Sequence, residues 1–159
     1  MLGNVIILVI SGLLLRFEHK KLMQVLGLTK PMYRLLQFGI GFLATALLAI
    51  VISSIFSVVA NYEWVPASGF TAAFFFKGLY KVFNSVLYEE LIFRGYLLYK
   101  AIEMLGERKA NFLSAAAFGV YHWFSFNILG NPILMGWVLF YTGVWGLMFA
   151  YSYSKTRSI

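Results

Sequence analysis

The chain has 159 residues, of which 61% are hydrophobic and only 12% charged, and its formal net charge is +7. Soluble domains carry about 25% charged residues, so the composition excludes an ordinary water-exposed surface and predicts an integral membrane protein. The absence of cysteine excludes disulfides, thiol nucleophiles and cysteine metal ligands. The absence of aspartate excludes an intramembrane protease built on an aspartate dyad.

Apolar segments along the chain predict an all-α fold, a polytopic helical membrane protein with about five transmembrane helices. In chain order they are 2–15, 35–60, 74–100, 111–126 and 133–153. The first is short, since a helix needs about 20 residues to cross about 30 Å of hydrocarbon. A basic amphipathic connector covers 16–34, and Lys30-Pro31 predicts a break before the second span. The remaining connections are 61–68, 106–110 and 127–132.

The positive charges are distributed unevenly among these connections. Ten of the thirteen Lys and Arg residues lie in 16–34, in 100–109 and in the tail after 153, whereas the loops 61–68 and 127–132 hold none. The positive-inside rule therefore places the N-terminus outside and the C-terminus in the cytoplasm. We expect a multi-pass protein of a bacterial plasma membrane, with membrane lipids as partners of its basic side and without nucleic-acid binding.

Three ionisable residues, Glu89, Glu90 and Arg94, interrupt the third apolar segment. A charge at the bilayer centre costs at least about 2.5–3.5 kcal/mol, so they predict a functional site. Glu90 and Arg94 are four residues apart on one helix face, which predicts an ion pair. Glu89 lies about 100° around the helix and is left free to act as a general base. The alternative is a purely structural ion pair, although buried pairs stabilise poorly.

His122, in the fourth segment, is predicted at the same membrane depth as Glu89. Glu89 lies 17 residues before residue 106 and His122 lies 16 after it, so antiparallel helices bring the two to one level. A histidine there can polarise a carbonyl, stabilise an oxyanion or bind a metal; a hydrogen-bonded interior histidine is the alternative. Phe118, one turn earlier, and Tyr121 are predicted to line a substrate pocket.

The pattern Glu89-Glu90-x-x-x-Arg94 followed by Phe118-x-x-x-His122 resembles the first two signature motifs of the CAAX protease and bacteriocin-processing family (CPBP, or Abi). Members are multi-pass membrane endopeptidases. The segments 26–31 and 146–159 are also similar to the family, so the resemblance covers most of the chain. It implies one membrane-embedded domain, 1–159, with a motif-bearing core at 70–159.

The resemblance implies hydrolysis of a peptide bond in a prenylated CAAX-like protein or a leader-type peptide. It also implies that Glu89 activates water and that His122 assists at the scissile carbonyl, with Glu90 and Arg94 beside them. Two mechanisms stay open: a glutamate mechanism, and a metalloprotease mechanism in which Glu89 and His122 hold a divalent metal such as zinc. Neither the substrate nor an oligomeric state is predicted.

The family's third motif, a further His followed four residues later by Asn, is expected where the sequence ends at Ile159. The other histidine, His19, is predicted to be a solvated residue of the connector. Two other functions therefore remain open: an inactive family member that acts as a membrane scaffold or immunity protein, and a small transporter or proton relay. Against the transporter, the sequence has no inverted repeat.

Two further groups of residues are predicted to have structural roles. Asn127 and Asn131 are predicted to act in loops or caps. The glycine pairs Gly39/Gly41 and Gly143/Gly146 are predicted to permit close helix packing.

Overall fold

The computed structural model describes residues 2–61, 63, 65 and 68–157, and these residues form helices joined by turns. The helices are α1 (Leu2–Phe17), α2 (Leu22–Val25), α3 (Pro31–Ala60), α4 (Ala72–Phe93), α5 (Tyr96–Leu105), α6 (Glu107–Ser125) and α7 (Pro132–Thr156). The predicted all-α fold is thus confirmed. Part of the predicted loop 61–68 and residues 158–159 of the predicted tail lie outside the described residues.

The chain forms two compact units, one comprising Met1–Leu28 with Val82–Ile159 and the other Thr29–Lys81. The second unit contains α3, which is apolar and buries none of its residues within the protein. At about 1.5 Å per residue, α3 exceeds the thickness of the hydrocarbon layer. In the described part of the chain, α3 and α7 are long and apolar enough to cross a membrane, while α1 is apolar but shorter.

Two helices start as their sequences predict. Pro31 and Pro132 occupy the first turns of α3 and α7, where the missing N–H of proline has no helical partner to lose. Asn131 precedes α7, and its side-chain oxygen accepts a hydrogen bond from the Leu134 N–H at 3.2 Å. The predicted break at Lys30-Pro31 and the capping role of Asn131 are therefore confirmed.

The prediction of one continuous span over 74–100 was wrong, because α4 ends at Phe93 and α5 begins at Tyr96. Gly95 lies in the break with φ −81° and ψ −130°, and a Cβ atom there would collide with the Leu91 carbonyl oxygen. Ser114 of α6 donates its hydroxyl to the Phe93 carbonyl at 3.1 Å. That bond gives a donor to a carbonyl at the end of α4, where the last carbonyls have no intrahelical N–H partner. The predicted turn at 106–110 is likewise shorter, since α6 begins directly after Gly106.

Helices α6 and α7 of the first unit pack closely where small residues meet large ones. A Cβ on Gly146 would lie 2.9 Å from the Phe118 ring, and one on Gly119 would lie 3.1 Å from the Leu139 carbonyl oxygen. Gly143 faces the Ala115 carbonyl oxygen at 3.7 Å. The close-packing role predicted for Gly143 and Gly146 is confirmed.

Interhelical hydrogen bonds tie the other elements of the first unit together. Asn4 of α1 donates to the Asn84 side-chain oxygen of α4 at 3.0 Å. Near the C-terminus of α7, the buried Tyr153 hydroxyl donates to the Val25 carbonyl of α2 at 2.8 Å. Polar side chains in apolar helices need such partners, so these bonds fix α1 and α2 against the helices that carry the candidate site.

Candidate active site

Glu90, on the last turn of α4, and Arg94, which directly follows that helix, form an ion pair. Arg94 donates from Nε to Glu90 Oε2 at 2.9 Å and from Nη2 to Glu90 Oε1. The Arg94 side chain is 2% exposed and that of Glu90 21%. A two-pronged arginine–carboxylate contact fixes geometry as well as charge, so both side chains are held in a single arrangement.

Three aromatic rings lie near the Arg94 guanidinium, with that of Phe93 the most distant at 6.0 Å. The guanidinium Cζ lies 4.7 Å from the centre of the Phe118 ring and 5.1 Å from that of Phe149. A cation over an aromatic face is stabilised most strongly where water is excluded. Phe149 lies on α7 and was not among the residues predicted for the site. Its spacing in an apolar helix carries no signal that distinguishes it from the neighbouring aromatic residues.

His122 is 8% exposed, and its orientation is fixed by the preceding turn of α6. Its Nδ1 lies 2.8 Å from the Phe118 carbonyl oxygen. Because a carbonyl oxygen can only accept a hydrogen bond, Nδ1 carries a hydrogen, and the tautomer selected in this way has its lone pair on Nε2. The rings of Phe118, Tyr121 and Phe126 surround the imidazole, with centroids at 4.5, 5.3 and 5.2 Å.

Glu89 is partly buried and interacts electrostatically with His122, Arg94 and Glu90. The structure therefore brings Glu89 and His122 together. It does so even though the helix that carries Glu89 ends at Phe93 and does not continue to residue 100 as predicted. Within the described residues, no hydrogen bond or ion pair engages the Glu89 carboxylate, whereas its neighbour Glu90 is fully occupied by Arg94. Of the two adjacent carboxylates, Glu89 is the one available for chemistry.

The two residues predicted to line a substrate pocket occupy different positions. Phe118 is 5% exposed, and its ring packs against the side chains of Arg94 and His122. Tyr121 is partly exposed and interacts electrostatically with Glu89. Phe93 touches both rings, at centroid distances of 5.1 and 5.4 Å, and was missed because it resembles any other apolar residue of its span.

A metal site was the open alternative for Glu89 and His122. In the part of the chain that the structure describes, no group of three or more His, Cys, Asp or Glu side chains could hold a metal ion. Catalytic zinc sites use three protein ligands, so Glu89 and His122 alone do not fit one.

In a comparison with protein families, residues 71–159 match the model described as type II CAAX prenyl endopeptidase Rce1-like. No curated protein and no solved structure matches the chain. The matched region contains Glu89, Glu90, Arg94 and His122, together with α5, α6 and α7. Since the match spans more than half of the chain, the protein belongs to the Rce1-like family of type II CAAX prenyl endopeptidases, which are membrane-embedded hydrolases.

Proposed function

We propose that this protein is an intramembrane endopeptidase that hydrolyses a peptide bond of a membrane-associated substrate, a prenylated protein or peptide being the first candidate. The observation that carries this proposal is the unpaired Glu89 carboxylate within electrostatic reach of His122. Family membership supports the class of reaction and of substrate. The five-span topology, with a cytoplasmic opening to the site, is part of the same proposal.

In the proposed reaction, Glu89 accepts a proton from a water molecule whose oxygen attacks the scissile carbonyl carbon. A C–O bond forms, and the tetrahedral species then collapses as the C–N bond breaks. The proton held by Glu89 passes to the departing nitrogen, so the products are a carboxylic acid and an amine. The lone pair on His122 Nε2 accepts the second hydrogen of the water and orients its oxygen toward the substrate.

Glu90 and Arg94 keep the neighbouring charge fixed in this scheme. Two adjacent carboxylates repel each other, and a partner cation relieves that repulsion. Because Arg94 binds both oxygens of Glu90, Glu90 is held away from the water and Glu89 alone receives the proton. Glu90 and Arg94 thus act through Glu89 as positioning residues.

The test is cleavage of a prenylated CAAX peptide by the purified chain in liposomes, compared with a small panel of leader peptides. Glu89→Gln is isosteric and removes the base, so we expect a loss of at least about 100-fold in rate with unchanged thermal unfolding. His122→Ala is expected to reduce the rate comparably. Glu103→Gln is the matched control, because it removes a glutamate of α5 that is not part of the motif. This variant should cleave normally.

The outcomes separate the alternatives. Full activity of Glu89→Gln would show that Glu89 is not the base. A folded wild-type chain that cleaves none of the peptides but binds the prenylated one would favour the scaffold function. Proton flux across liposomes that disappears in Glu89→Gln, without cleavage, would favour the proton relay.

A further inference from the structure

A groove separate from the candidate active site lies between the first turns of α6 and the last turns of α7. It has a volume of about 610 Å³. Its wall is apolar, and its rim and floor are polar. The wall is formed by Phe112, Leu147, Met148 and Tyr151, and the polar residues are Glu107, Arg108, Asn111 and Lys155. Such a groove has the amphipathic character of a lipid, with one charged end and one apolar side.

The charges at the rim favour an anion. Lys155 pairs with Glu107 at 2.6 Å, and the Ser154 hydroxyl donates to the same carboxylate at 3.1 Å. Arg108 is exposed and takes part in none of the salt bridges of the described residues. The N-terminus of α6, at which Arg108 lies, has no side-chain cap and adds partial positive charge. The carboxylate of the rim is therefore neutralised, and Arg108 is the surplus cation.

Asn111 links the two helices that form the groove. It is 4% exposed, and its amide nitrogen donates to Ser154 Oγ at 3.0 Å. Its side-chain oxygen is enclosed by protein atoms and has no partner among the described atoms. Asn111 therefore holds α6 against α7, and the contacts open to an occupant are the apolar wall and the Arg108 guanidinium.

We infer that this groove binds an anionic phospholipid, for which phosphatidylglycerol is the test case. The phosphate lies at Arg108, the cation that Glu107 does not engage, and one acyl chain follows the apolar wall. Basic pockets between membrane helices on the cytoplasmic side are suited to anionic headgroups. A free phosphate would leave the apolar wall unused, and for this reason the lipid is the occupant that fits the whole groove.

The experiment uses the full chain purified in a nonionic detergent and measures binding of phosphatidylglycerol and phosphatidylcholine by native mass spectrometry. We expect phosphatidylglycerol to bind in preference. A cation near an anionic headgroup changes affinity about fivefold, so Arg108→Gln should weaken binding about fivefold and Arg108→Lys should largely restore it. The matched control is Lys109→Gln, which removes a charge from the adjacent exposed position outside the groove and should change binding less than twofold.

A second variant tests the wall without changing charge. Met148 is 56% exposed, so Met148→Trp should fold, fill the groove and abolish the preference for phosphatidylglycerol. Equal binding of both lipids, equal effects of Arg108→Gln and Lys109→Gln, or retained preference in Met148→Trp would each overturn the inference. Full competition by inorganic phosphate would also overturn it, because it would indicate a site for an anion alone. A dimer that Met148→Trp disperses would overturn it as well, because a second copy of the chain would then occupy the groove.

Discussion

At the residue scale, Phe118 holds two members of the candidate site in place. Its ring lies 4.7 Å below the Arg94 guanidinium, and its carbonyl accepts the hydrogen bond from His122 Nδ1. The first contact stabilises a charge that lipid would otherwise penalise, and the second selects the tautomer of the imidazole. The ring of Phe118 thus serves Arg94, while its backbone carbonyl, which any residue at this position would supply, orients His122.

Phe149 provides the second aromatic face for Arg94, and this contact leads to a residue-scale prediction. Phe149→Leu keeps an apolar side chain but removes the ring, so we expect a loss of about 1 kcal/mol of stability, whereas Phe149→Tyr should retain most of it. Unfolding of the purified protein in detergent, monitored by circular dichroism, measures the effect. Phe140→Leu removes an exposed ring from the same helix and is the control; equal losses in Phe149→Leu and Phe140→Leu would contradict a specific contact with Arg94.

At the element scale, the break between α4 and α5 shapes the candidate site. Arg94 is the first residue after α4, and its N–H still donates to the Glu90 carbonyl at 2.8 Å. Gly95 then lets the chain change direction close to the Leu91 carbonyl. The break thus occurs directly after the ion pair, and α5 continues toward Gly106 along a new axis.

Gly95 is therefore predicted to be intolerant of any side chain. Gly95→Ala places a methyl group against the Leu91 carbonyl, so we expect a loss of about 1–3 kcal/mol and reduced cleavage activity. Gly78 lies in the same α4 helix with nothing within 4 Å of a Cβ atom. Gly78→Ala should be neutral or stabilise the helix by up to about 1 kcal/mol. Denaturation curves of the two variants measure the difference, and similar stabilities would show that the break does not depend on Gly95.

At the scale of the whole molecule, charged residues of the first unit are concentrated at the end of the helices that the sequence assigns to the cytoplasm. Lys100 pairs with Glu18 at 2.7 Å, and Lys155 pairs with Glu107. The bond from Lys100 lowers the pKa of the Glu18 carboxyl, and the bond from Lys155 lowers the pKa of the Glu107 carboxyl. The Tyr99 hydroxyl, which donates to Glu103 at 2.5 Å, lowers the pKa of that carboxyl also.

These shifts predict how stability depends on pH. Because the carboxyl pKa values are lower in the folded than in the unfolded chain, the stabilisation is present above the ordinary value of 4.5 and is lost as pH falls through the folded values. The carboxylates are exposed, so the effect on the melting temperature should be small. Melting between pH 7 and pH 3 in detergent measures it. Glu107→Gln should flatten the acid slope, whereas the loop variant Glu63→Gln should leave it unchanged; an unchanged slope in Glu107→Gln would refute the assignment.

The orientation in the membrane is a further prediction at this scale. The natural chain lacks cysteine, so single cysteines report accessibility without background. Leu129→Cys should react with a membrane-impermeant maleimide in intact cells, and Lys109→Cys should react only after permeabilisation. Both positions are exposed in the protein, which makes them a matched pair. The opposite labelling pattern would reverse the predicted topology, and labelling of both in intact cells would exclude it.

Sequence alone predicted the all-α fold, the break at Lys30-Pro31, and the residues Glu89, Glu90, Arg94 and His122 as candidates. It could do so because these features are local or rest on the cost of a charge in an apolar segment. The pairing of Glu90 with Arg94 follows from helical spacing in the same way.

Only the tertiary structure decided the rest. The break at Gly95 depends on the approach of a carbonyl oxygen, and the contact of Phe149 with Arg94 depends on how α7 packs against α6. The glycines illustrate the same limit: Gly146 meets the Phe118 ring as predicted, whereas the sequence does not say which residues Gly143 and Gly119 face. A sequence pattern gives the face on which a residue lies, but the neighbour on that face is fixed by packing between segments distant in the chain.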